Sequence, residues 1–146
     1  MSDVEYIRGG EAVDDRGALM FVNDLDLSAY KRFYVVRNHA QGFVRAWHGH
    51  ERESKAVVVI SGAAIVAAVK VDNWAHPDPA AEVKRFVLSS DTPGALRIPP
   101  GYANGFKTLT TDTRVCFFSS STLEESGGDD IRFETHFWDP WNVEER

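Results

Sequence analysis

Gly42-Phe43-Val44-Arg45-Ala46-Trp47-His48-Gly49-His50 reads as an extended segment with apolar flanks. On a strand, side chains two residues apart share a face, so His48 and His50 point the same way. Two imidazoles on one face make a metal site or a proton-transfer site; the plainer alternative is a chance pair on a solvated face. The nearby cations Arg45 and Lys55 and the apolar flanks argue against that alternative. By the same alternation, Arg45 falls on the opposite face of a regular strand. Only a bulge or strong twist brings it round to the histidines.

Around this run the chain is dense in strand signals. Residues 18–22, 32–36, 55–60, 63–71, 82–88 and 114–118 are short and rich in β-branched or aromatic residues. Ser61-Gly62, Pro77-Asp78-Pro79, Thr92-Pro93-Gly94, Pro99-Pro100-Gly101 and Gly127-Gly128-Asp129-Asp130 punctuate them as turns. Helical periodicity is weak. Residues 24–30 fit one or two helical turns capped by Asp24 or Asp26. The alanine-rich segment 63–71 could be read as helical, but its length and its place after Ser61-Gly62 favour a strand whose small side chains face something bulky. Many short strands between Gly/Pro turns predict an all-β sandwich or barrel, and 146 residues predict one domain.

Composition narrows the function. A net charge of −6 argues against nucleic acid, which calls for a basic face. The 11 arginines against 5 lysines suit bidentate contacts to a small anion, although genomic base composition explains such a bias equally well. No apolar run approaches the ~20 residues of a membrane span. The acidic start Met1-Ser2-Asp3-Val4-Glu5 has no apolar core of a signal peptide. The one cysteine, Cys116, sits in an apolar segment and reads as core; it supports neither a disulfide framework nor a thiolate cluster, and the expected compartment is a reducing cytoplasm.

The spacing of Gly42, His48, His50, Lys55 and Gly62 resembles the first cupin motif, with Lys55 where that family carries glutamate. Gly94, Pro99-Pro100-Gly101 and Asn104 resemble the second, with Asn104 where the family carries histidine. The four cupin ligand positions therefore read His48, His50, Lys55 and Asn104. Protonated lysine has no lone pair to donate and repels a divalent ion. The resemblance thus implies a cupin jelly roll, an antiparallel double-sheet barrel, with neither metal nor cofactor.

One cupin branch fits that description. Asp15-Arg16-Gly17, Arg37-Asn38-His39, Arg45-Ala46-Trp47-His48, Lys55-Ala56-Val57 and Trp138-Asp139-Pro140 each resemble, in order, a motif of the dTDP-4-dehydrorhamnose 3,5-epimerase family. The most specific match is Ile98-Pro99-Pro100-Gly101-Tyr102-Ala103-Asn104-Gly105-Phe106. The family's tyrosine acid would stand on 114–119, which holds none, and the aspartate that orients its catalytic histidine has no clear counterpart. A second set of relatives competes. Arg45-Ala46-Trp47-His48-Gly49-His50 and Arg32-Phe33-Tyr34 resemble motifs of the dTDP-sugar 3,4-ketoisomerases, though their later histidine is missing.

The resemblance implies an isomerase of a nucleotide-linked 4-keto-6-deoxyhexose in deoxysugar or surface-polysaccharide biosynthesis, or alternatively a ketoisomerase or a non-catalytic sugar-nucleotide-binding cupin. It assigns His48 as base and Lys55, opposite it on the adjacent strand, as oxyanion partner. Tyr34 or His50 would return the proton. Arg45, Arg16, Arg37, Asn104 and Tyr102 would bind substrate, with Arg32 a further diphosphate candidate and packing the plainer role for Tyr102. It also implies a homodimer, with the N-terminal strand and Arg16 crossing to the partner. Trp138 and Trp141 read as packing, a C-terminal lid or a dimer contact; His76 and His136 receive no role.

Overall fold

The computed structural model describes residues 3–146; Met1 and Ser2 of the acidic start lie outside the described residues. Two five-stranded antiparallel sheets face one another. The first runs β1 (Glu5–Arg8), β9 (Gly94–Ile98), β6 (Lys55–Ser61), β11 (Arg114–Ser119) and β4 (Arg32–Val36). The second runs β12 (Ile131–Arg132), β5 (Val44–His50), β10 (Tyr102–Thr108), β7 (Ala63–Lys70) and β8 (Val83–Ser89). A hairpin, β2 (Gly10–Asp14) with β3 (Gly17–Phe21), stands apart. This is the expected jelly roll. Among the described residues no helix is long and apolar enough to cross a membrane.

Alternating side chains from the two inner faces meet in the core. Val57, Val59 and Val115 from the first sheet pack against Ala64, Val66, Leu88 and Phe106 from the second. Fully burying a side chain such as Leu96 or Ile65 stabilises the fold by roughly 1.5–3 kcal/mol. The segment 63–71 is a strand, and both of its faces are buried. Ala64, Val66 and Ala68 face the core, whereas Ile65, Ala67 and Val69 face Trp47, Trp138 and Trp141. The small Ala67 leaves room for the indoles, so polar alternation is absent from this strand.

The C-terminal tail is fastened to the outer face of the second sheet. The Trp47 indole N–H donates to the carbonyls of Thr135, at 3.1 Å, and Trp138, at 3.0 Å. Trp138 and Trp141 thus pack within the chain, which is the default expected of them. Residues 24–30 hold a single 3-10 turn, Leu27–Ala29, capped by Asp26, whose carboxylate accepts the Ser28 N–H at 2.9 Å. Sequence reading missed β1, β2, β9, β10 and β12, and a short helix, α1 (Leu123–Gly127), which opens with a Thr122–Glu125 capping box. β1, β12 and α1 are too short to carry a periodicity, and β9 and β10 are masked by the glycines and the Pro-Pro-Gly turn that read as loop.

Candidate active site

Register decides which side chains reach the space between the sheets. Across β5 and β10, His48 pairs with Asn104, but Arg45 pairs with Phe106. Three residues of β5 therefore oppose two of β10, which is a β-bulge at Ala46-Trp47. Residues directly opposite share a face, and Asn104 and Phe106 both face inward. The bulge thus turns Arg45 to the inner side with His48 and sends Trp47 outward. Gly105 permits it, since a Cβ there would lie 2.4 Å from the Ala46 Cβ. The open question about Arg45 is settled by a bulge.

A cavity of about 230 Å³ opens at this end of the sandwich. The second sheet lines it with Arg45, His48, His50, Asn104, Phe106 and Arg132. The first sheet lines it with Lys55, Tyr34, Val36 and Phe117. Lys55 was expected on the strand adjacent to His48, but it belongs to the opposite sheet. The chain crosses between sheets in the loop after His50, so ammonium and imidazole face each other across the cavity. Ser126 and Asp130 complete the rim.

No described residue hydrogen-bonds the His48 ring. Burial, then the Arg132 and Lys55 charges, push its imidazole down to about 4, with Asp130 opposing. His48 is therefore neutral near pH 7, the state of a base. Asp130 lies in the cavity wall and is bound through both oxygens to Arg132, at 3.0 Å each. Its charge is felt by His48, but it makes no hydrogen bond to the imidazole. The only local signal was a Gly-Gly-Asp-Asp turn, in which Asp129 and Asp130 look like ordinary turn residues.

His50 differs from the expectation of a proton donor facing the substrate. Its Nδ1 lies 2.6 Å from the Asp129 carbonyl oxygen, so that nitrogen carries the proton. Its Nε2 is sealed from solvent, 3.7 Å from Glu53 Oε2. Burial first, then the Lys55 charge, lowers its pKa. Both nitrogens are turned away from the cavity. Asp129 also clamps the loop. Its carboxylate accepts the backbone N–H groups of Glu51, Arg52 and Glu53 at 2.7, 2.9 and 2.9 Å. Burial raises its pKa, but these donors overcome that and hold it below the usual carboxylate range.

Tyr34 reaches the cavity from β4, stacked on Phe117 with centroids 5.2 Å apart and rings inclined by 14°. The Arg32 guanidinium lies 5.1 Å from its ring centre and the Lys55 ammonium 5.9 Å. Arg32 Nε also donates to the Ser121 carbonyl at 3.0 Å, so Arg32 stands behind Tyr34, outside the cavity lining. The Asn104 side-chain amide reaches the His48 carbonyl at 3.4 Å, and Arg45 Nε donates to Asn38 Oδ1 at 2.6 Å.

Three expected substrate contacts lie elsewhere within the chain. Tyr102 lines a separate hollow of about 490 Å³, and its hydroxyl donates to Asp3 at 2.8 Å; burial and that carboxylate push the phenol up to about 12. Its side chain extends toward the hollow at Asp3, which no local spacing signals. Arg16 is exposed at the tip of the β2–β3 hairpin and paired with Asp14. Arg37 is exposed beyond the end of β4, outside the cavity lining.

A metal does not fit the four cupin ligand positions. Lys55 has no lone pair as a cation and is ion-paired with Glu53. His50 has no nitrogen turned toward the cavity, and Asn104 binds backbone. Among the described residues no group of three or more His, Cys, Asp or Glu could hold one.

Fold and site together are those of a cupin whose ligand positions have been rebuilt around an imidazole and an ammonium. A family model described as dTDP-4-dehydrorhamnose 3,5-epimerase matches residues 3–137. The chain belongs to that family, which places it among isomerase-class sugar epimerases. Similar solved structures include a dTDP-4-dehydrorhamnose 3,5-epimerase of Bacillus anthracis with TDP and PPi bound. It is 19% identical, with a TM-score of 0.75 over 98% of this chain and 87% of that one. A second is the QdtA sugar 3,4-ketoisomerase of Thermoanaerobacterium thermosaccharolyticum in complex with TDP, 19% identical, TM-score 0.68, covering 93% and 92%. A third is the ChmJ 3'-monoepimerase of Streptomyces bikiniensis, a double mutant in complex with dTDP, 15% identical, TM-score 0.77, covering 95% and 74%. At these identities the likeness is one of fold. No curated protein matches the chain.

Proposed function

We propose that this chain epimerises a nucleotide-linked, dTDP-type 4-keto-6-deoxyhexose by removing a proton next to the C4 ketone. The observation that carries the reading is a neutral His48 facing the Lys55 ammonium across the cavity. A C–H bond beside a ketone is acidic because the resulting enolate places its charge on the ketone oxygen. His48 takes the proton from C3 or C5 as general base. Lys55 holds the C4 oxyanion as it forms. The Tyr34 hydroxyl returns a proton to the opposite face of the ring and inverts the carbon; His48 gives its proton to solvent and Tyr34 regains one. Arg45 and Arg132, on either side of His48, suit the diphosphate.

A second reading, 3,4-ketoisomerisation, draws support from Tyr34 standing in the cavity with Arg32 beside it. Incubation of a dTDP-4-keto-6-deoxyhexose in deuterium oxide separates the readings. Deuterium at C3 or C5 with inverted configuration supports epimerisation; a 3-keto product supports the second; binding without exchange defeats both.

The base assignment carries a pH signature. His48 must be neutral to act, and its pKa is lowered, so activity persists as pH falls from 7 and is lost only near about 4. A kcat/KM profile measured from pH 4 to 8 checks this. A fall centred near 6.5, the value of an unperturbed histidine, would assign the base to another group.

The proposed assembly is a homodimer. Phe33 and Val35 on edge strand β4, and Val13 and Leu19 on the β2–β3 hairpin, leave apolar side chains exposed. Arg16 serves a substrate only if the hairpin reaches a partner's cavity. Sedimentation equilibrium at micromolar concentration is expected to give twice the mass of the chain; a monodisperse monomer removes the claim.

A further inference from the structure

Glu53 is a buried carboxylate that the proton-transfer chemistry above does not use. Its side chain is fully sealed from solvent, and neither oxygen has a hydrogen-bond partner. Lys55 Nζ lies 3.5 Å and His50 Nε2 3.7 Å from Oε2, and Arg32 Nη2 lies 3.9 Å from Oε1. Among the described residues Glu53 is the one carboxylate within ion-pair distance of Lys55. The backbone that carries the side chain is fixed, because the Glu53 main-chain N–H donates to the Asp129 carboxylate at 2.9 Å.

A buried anion without hydrogen bonds is a poor stabilising device, since desolvation offsets what its ion pairs contribute. It does suit a second task. A lysine drawn into a half-dry pocket tends to give up its proton. Arg45 and Arg132 add positive charge to the cavity walls, Arg32 lies beside Tyr34 just outside them, and Asp130 is already committed to Arg132. An ammonium meant to meet an oxyanion there needs a fixed counter-charge on its far side.

We infer that Glu53 is a positioning residue: it acts through Lys55, holding the ammonium charged and aimed into the cavity, and does not itself touch substrate. This rests on the isomerase reading of the site. The variant is Glu53→Gln, which keeps shape and removes charge, made alone and in a Lys55→Met background. Alone it is expected to lower kcat roughly tenfold with KM little changed; in the Lys55→Met background it has no further effect, as coupled residues behave in a double-mutant cycle.

A second readout needs no turnover. The Lys55 ammonium should give a protected 15N–1H signal near neutral pH, identified by its loss in Lys55→Met, and Glu53→Gln should abolish it. Absence of that signal from the unmodified protein overturns the proposal even if Glu53→Gln does not fold. So does an unchanged signal in Glu53→Gln, an unchanged kcat, or an equal loss of kcat in both backgrounds. If the unmodified protein turns over no 4-keto sugar nucleotide, the isomerase reading fails by itself, and the ammonium signal still decides whether Glu53 holds Lys55.

Discussion

Replacing His48 by asparagine is expected to lower turnover by roughly 10²-fold or more, the usual worth of a general base. Asparagine keeps a polar group of similar reach and removes basicity, so nucleotide binding should survive, held by cations other than His48. The ring is neutral at working pH and no described residue hydrogen-bonds it. The substitution therefore breaks no network, and a loss of activity reports on proton transfer. Solvent-deuterium exchange at the carbon beside the ketone is the decisive measurement. Exchange at the unmodified rate in His48→Asn would remove His48 from the mechanism. His50 would not inherit the role readily, because its nitrogens are committed to Asp129 and turned toward Glu53.

Lys55→Met should cost roughly 10²- to 10³-fold in kcat, the effect of removing a preorganised contact to a developing oxyanion. Methionine fills similar volume and can rest on the Phe117 ring, which the ammonium now faces at 5.5 Å. The change also leaves Glu53 without its nearest cation. Stability must therefore be followed beside activity, because an uncompensated buried charge is destabilising. A folded Lys55→Met protein, judged by its thermal melt, with unimpaired kcat would show that the oxyanion is held elsewhere. Arg45 and Arg132 would then be the cations to examine.

The sequence by itself determined the all-β architecture and singled out the proposed base and its oxyanion partner. Strand propensity and turn chemistry are local, so dense β-branched runs between Gly/Pro turns already pointed to an all-β sandwich or barrel, and the motif resemblance to an antiparallel one. Motif spacing is also local, which is why His48, Lys55 and Asn104 stood out and do meet in one cavity. Tertiary structure decided the rest, because pairing register and distant charges have no signature along the chain. A regular strand would have sent Arg45 away from His48, and the bulge opposite Gly105 brings it back. The hydroxyl of Tyr102, next to a recognised motif, is drawn toward Asp3, 99 residues away. His50 looked equivalent to His48 by alternation, yet a carbonyl 79 residues further on fixes its proton on the far nitrogen. Glu53 carries no signal in the sequence. Only the closure of the loop onto Asp129 buries it among Arg32, His50 and Lys55, because an electrostatic environment is a sum over neighbours that folding alone assembles.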